Sequence, residues 1–165
     1  AFWALAPRFA QANGLDTGGI AWFMSATVLG GAVGQWPLGR LSDRGDRRKV
    51  ILLAAMLSAA AGALMVVRPF GTDAALFTMA AIWGACAFPI YSLAVAHAND
   101  HAAPTAFVAT SSGLLLVYSG GAVLGPLLAS TVTSLFGPTR LYAYIAVVHA
   151  LLFGFVLVRI RIKAP

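Results

Sequence analysis

Six apolar runs, at about residues 1–12, 18–40, 49–67, 74–97, 105–135 and 139–158, decide what this chain can fold into. About 20 apolar residues in a helix cross the hydrocarbon core of a bilayer, and every run but the first has that length or nearly so. A strand reading fails, because the runs exceed strand length and Ala and Leu outnumber the β-branched residues a barrel favours. Between the second and third runs lies a charged knot, Gly39-Arg40-Leu41-Ser42-Asp43-Arg44-Gly45-Asp46-Arg47-Arg48-Lys49, with five basic residues and two aspartates. Such a cluster cannot enter hydrocarbon and must sit in water between two spans. The chain therefore reads as all-α, a polytopic membrane helical bundle.

Composition agrees. Of 165 residues 60% are hydrophobic and 10% charged, and the mean hydropathy is +0.85. A soluble domain carries roughly a quarter charged residues. The net charge of +6 does not point to nucleic acid, because eight of the eleven Lys and Arg fall in residues 40–49 and 159–163, beside apolar runs. If 40–49 is cytoplasmic, alternation puts the 98–104 loop and the C-terminus inside too. The 13–17, 68–73 and 136–139 turns are then outside, with only Arg68 and Arg140 on that side. Cys86 is the single cysteine and reads as a small buried hydrophobe. The chain opens without an initiator Met or a charged signal-peptide region, so residues 1–12 read as the tail of a helix closed by Asn13-Gly14-Leu15-Asp16. The 105–135 run is too long for one simple crossing and is expected to tilt, to kink near Gly125-Pro126, or to begin in the interface.

Small residues recur at helix-packing spacing, Gly30-x-x-x-Gly34 in the second run and Gly121-x-x-x-Gly125 in the fifth. Because lipid is as apolar as the side chains, close backbone approach is a main source of helix association. These glycines are expected to mark where the two helices pack tightly or slide.

The knot resembles the signature loop of the major facilitator superfamily, twelve-helix secondary transporters whose loop reads roughly Gly-x-Leu-x-Asp-Arg-x-Gly-Arg-Arg-Lys. Gly39, Leu41, Asp43, Arg44, Arg47, Arg48 and Lys49 match it, and Asp46 stands where that family usually has glycine. The stretch from Ser111 through Tyr118 into Gly120-Gly121-Ala122-Val123-Leu124-Gly125-Pro126 resembles the family's Gly-rich fifth helix of a half. The run from Phe88-Pro89-Ile90-Tyr91 to Asp100 resembles the fourth helix of a poorly characterised bacterial permease subgroup. The resemblance covers essentially the whole chain. It implies the C-terminal half, helices seven to twelve with the seventh truncated, in a bacterial inner membrane with the N-terminal half as partner. It also implies transport of a small solute by alternating access, with H+ or another ion as a candidate for coupling.

Physical chemistry gives the knot a role of its own. Asp43, near the junction of two helices, can accept backbone N–H groups or meet a positive helix terminus. Arg44, Arg47 and Arg48 can pair with it at the rim. Lipid anchoring alone has no use for Asp43, which favours a gate as well as an anchor. Polar residues inside spans are functional candidates: Arg8, Tyr91, Tyr118 and His149 for substrate, with Arg8 equally suited to snorkelling. His97, Asp100 and His101 have the spacing to meet a metal, but a wet helix end explains them better, and no metal or cofactor is expected. All five acidic residues are Asp and fall in loops or at rims, leaving His149 alone placed for proton coupling in this chain. No span carries a catalytic constellation, so an enzyme is not expected; a membrane scaffold without transport is the alternative.

Overall fold

The computed structural model describes residues 1–67 and 71–162 and contains no strand among them. Its helices are α1 Phe2–Ala12, α2 Thr17–Arg44, α3 Arg47–Val67, α4 Asp73–Ala87, α5 Pro89–Asp100, α6 Phe107–Phe136 and α7 Leu141–Ile162. Short 3-10 turns, Pro104–Ala106 and Pro138–Arg140, lead into α6 and α7. Five stretches are long and apolar enough to cross a membrane: Thr17–Arg44, Arg47–Val67, Asp73–Asp100, Phe107–Phe136 and Pro138–Ile162. The expected end of the third run at Arg68-Pro69-Phe70, and Lys163 of the C-terminal cluster, lie outside the described residues.

The backbone corrects one expectation and adds detail to two others. The knot is not a ten-residue loop, since α2 runs through Arg44 and α3 starts at Arg47, leaving Gly45 and Asp46 between them. Arg and Lys are good helix formers, and nothing prevents a helix from continuing past the hydrocarbon into water. The fourth run is two helices meeting at Phe88, because Pro89 has no N–H to donate to the Ala85 carbonyl. The fifth is a continuous 30-residue helix with Pro126 inside it. At 1.5 Å per residue it reaches about 45 Å, well beyond a hydrocarbon core of roughly 30 Å.

The packing has a tight side and an open side. α2 lies chiefly on α4, and α3 on α7. A Cβ on Gly30 or Gly34 would collide with the backbone of Ala81 or Ala85, and one on Gly84 with the Thr27 carbonyl. Here glycine is required by contact: two backbones touch where any side chain would separate them. The core above this seam is aromatic. The buried Tyr142 ring sits 4.6 Å from Phe9, 5.4 Å from Trp83 and 6.4 Å from Phe23, joining α1, α2, α4 and α7. α6 is different: 6% of its most apolar window is buried, against 44% for α3. A Cβ on Gly121 would meet nothing within 4 Å, and one on Gly125 only the Ala1 backbone nitrogen at 3.9 Å. Among the described residues the α2 glycines therefore pack tightly against α4, which supplies their partner surface.

Candidate functional site

Alternating helices bring the end of α2, the start of α3, the end of α5 and the end of α7 to one end of the bundle. Arg47, the first residue of α3, is the hub there. Its guanidinium donates to Ser42 Oγ at 2.7 Å and to Asp43 Oδ1 at 2.9 Å, both on α2, and its Nε donates to Asp100 Oδ2 on α5. One side chain thus ties three helix ends, and charge-assisted bonds of this kind are about twice as strong as neutral ones. Ser42 is 1% exposed, so the anchor on α2 is buried. The Asp43 side chain is 67% exposed and the Arg47 side chain 21%, so one face of the Asp43 carboxylate stays open to water.

The cap at the junction belongs to Asp46, not Asp43. Asp46 Oδ1 accepts the Arg48 backbone N–H at 3.0 Å, and its carbonyl accepts Lys49 N–H at 3.0 Å and Val50 N–H at 3.4 Å. An aspartate at this position satisfies amides that the first turn of a helix leaves unpaired. The Arg48 guanidinium folds back on the same carboxylate at 3.1 and 3.0 Å. That side-chain bond, followed by the backbone bond and the neighbouring positive charges, holds the Asp46 carboxyl below its usual range against the opposing effect of partial burial. Arg44 is exposed and has no ion pair among the described residues. Gly39 has open space where a Cβ would sit.

Of the four candidate substrate residues, two meet. Tyr91 on α5 and Tyr118 on α6 pack with ring centroids 4.7 Å apart and planes inclined by 50°, and both are exposed, at 39% and 53%. Counted along their helices from the basic end they lie about 14 and 17 Å deep, near mid-membrane. His149 lies at similar depth but on another side, with its ring 6.1 Å from Trp83. Its Nδ1 is 2.8 Å from the Ile145 carbonyl, which can only accept, so Nδ1 carries the proton. Arg8 is at the opposite end of the bundle, exposed beside Thr133 and Pro138. Pro126 leaves the Ala122 carbonyl without its helical donor, and Tyr144 Oη donates to the neighbouring Gly125 carbonyl at 3.3 Å.

The spacing of His97, Asp100 and His101 suggests convergence, and the structure sends them apart. Asp100 turns to Arg47, while the two imidazoles meet edge to face with centroids 4.7 Å apart. Among the described residues no three His, Cys, Asp or Glu side chains gather as a metal site. Sequence reasoning misses Asp100 and Ser42 as partners of Arg47. A visible signal exists for Asp100, the one carboxylate at the far end of the neighbouring apolar run.

The family model of the Major Facilitator Superfamily matches residues 1–165. The chain belongs to that superfamily. Among curated relatives, an uncharacterized MFS-type transporter of Yersinia enterocolitica is 28% identical over 144 residues, 87% of this chain and 36% of that protein. A counterpart in an Enterobacter species is 31% identical, and the uncharacterized MFS-type transporter YcaD of Salmonella paratyphi B is 30% identical, with the same coverage. The chain thus spans about a third of the length of these relatives. No solved structure gives a significant match. This facilitator chain is a multi-pass, all-α membrane protein.

Proposed function

We propose that the chain is the C-terminal half of a secondary transporter that moves a small solute across a bacterial inner membrane by alternating access, without covalent chemistry. Residues 40–49 and the C-terminus are on the cytoplasmic side in this reading, and an N-terminal half packs on the open face of α6. The single observation that supports it best is the division of labour around Arg47. Its bonds to Asp43, Ser42 and Asp100 make three helix ends one rigid block. Asp43 and Arg44 remain exposed at the edge of that block. They form the detachable latch toward the other half, closing the inner side when engaged and opening it when released. An exposed pair is worth roughly 0.2–1 kcal/mol, which shifts a two-state balance up to about fivefold without locking it.

The paired Tyr91 and Tyr118 offer a solute aromatic surface and two hydroxyls at mid-depth. H+ or another ion is the coupling candidate, and His149 is the titratable group at that depth in this chain. In the whole transporter, Asp43→Asn should slow solute flux in proteoliposomes several-fold while insertion into the membrane stays normal. Unchanged flux would remove the latch. Loss of a partner complex on deletion, with no flux for any solute, would favour the scaffold alternative.

A further inference from the structure

Adjoining the Arg47 block, and sharing Arg48, His97 and His101 with its hollow, a cleft of about 430 Å³ opens between α3, α5 and α7. Its rim carries Arg48, His97, His101 and Arg159, and its floor includes Ile51 and Phe155. The change from basic to apolar takes one helical turn. Phe155 precedes Arg159 by four residues and Ile51 follows Arg48 by three, each step leading toward the middle of the membrane. The carboxylates nearby are already engaged, Asp46 by Arg48 and Asp100 by Arg47. Arg159 has no ion pair among the described residues, and His101 is exposed.

We infer that this cleft binds an anionic phospholipid, with its phosphate against Arg159 and the two imidazoles and the start of an acyl chain over Phe155 and Ile51. Charge complementarity selects a headgroup of net negative charge over a zwitterionic or neutral one at a basic cleft between membrane helices. The apolar floor selects an amphiphile over a free anion, which would leave Phe155, 64% exposed, uncovered. The guanidinium is suited to the role because it grips two phosphate oxygens at once. This inference depends on the chain lying in a membrane, not on the transport reading, so either can fail alone.

The test is native mass spectrometry of the whole detergent-solubilised protein with added phosphatidylglycerol, phosphatidylcholine or inorganic phosphate. Phosphatidylglycerol should be retained and phosphatidylcholine not, and millimolar inorganic phosphate should fail to displace the lipid. Arg159→Gln should weaken phosphatidylglycerol retention about tenfold, the usual loss when a charged hydrogen-bonding partner is removed. Arg159→Lys should keep part of it, and Arg140→Gln at the opposite end should change nothing. Phe155→Ser, which spares the charges, should also weaken it. Equal retention of the two lipids, equal retention by Arg159→Gln and Arg140→Gln, or displacement by inorganic phosphate would each overturn the assignment.

Discussion

Gly30-x-x-x-Gly34 in α2 and Gly121-x-x-x-Gly125 in α6 have the same spacing and opposite surroundings. The first pair is pressed against the backbone of Ala81 and Ala85, where no side chain fits, while the position of Gly121 opens on empty space. Small residues permit close approach but do not name the partner, which must be found by complementarity. For α2 that partner is in this chain, and α4 carries the matching small pair, Ala81-x-x-x-Ala85. For α6 we propose that it is the other half of the transporter.

The largest effects should fall on the closed seam. Gly34→Leu forces two backbones apart and should abolish accumulation of folded protein in the membrane, measured by detergent-resistant monodisperse yield. Gly84→Ala, which meets the Thr27 carbonyl, should be milder but still lower stability by about 1–3 kcal/mol, the range for overpacked sites. Normal folding of Gly34→Leu would erase the contrast between the two glycine pairs. Gly121→Leu should behave the other way, with thermal stability of this half within about 0.5 kcal/mol of the original and transport by the whole protein strongly reduced.

Next in size is the Arg47 hub. Arg47→Ala leaves the exposed carboxylates of Asp43 and Asp100 without their cation and should cost on the order of 1 kcal/mol, read as a lower midpoint of thermal unfolding. Asp100→Asn should lose part of that, and the two together should be less than additive because they share one network.

The smallest effect concerns Asp46. Asp46→Gly, the residue the superfamily usually has there, removes the cap's side chain and should cost roughly a few tenths of a kcal/mol, because glycine is itself a tolerated cap residue. Because the folded carboxyl titrates below its unfolded range, its contribution is complete above the ordinary aspartate range and disappears as pH falls through the lowered value. The stability difference between the two forms should therefore vanish in acid and stay flat from pH 6 to 8; the opposite slope would rule out the cap.

Helices and contacts differ in how legible they are in the sequence. The spans are visible because hydrocarbon demands long apolar runs. Their ends at Arg40–Arg44 and Arg47–Lys49 are not, because charged residues extend helices as well as end them. The break at Pro89 follows from its missing N–H and is legible in the sequence even though the apolar run continues through it. The Arg47–Asp100 pair joins residues 53 apart, a distance no local pattern reports. Asp46 reads as a mismatch to the signature, although Asp before a run of helix formers is a cap signal in its own right. Tyr91 and Tyr118 stand out one at a time in the sequence, and only the fold brings their rings together.

The proposed transport requires that the α6 face bearing Tyr118, Gly121 and Gly125 be closed by a second half and line a solute path. The direct measurement is thiol labelling of Gly121→Cys, in a Cys86→Ser background, in the whole protein in native membranes. A membrane-impermeant, water-soluble thiol reagent should label the introduced thiol despite its position in the middle of a spanning helix. Asp43→Asn should change the labelling rate by shifting the balance of inward and outward states. Labelling by lipid-soluble reagents alone, at a rate indifferent to Asp43, would put that face against lipid and refute the solute path.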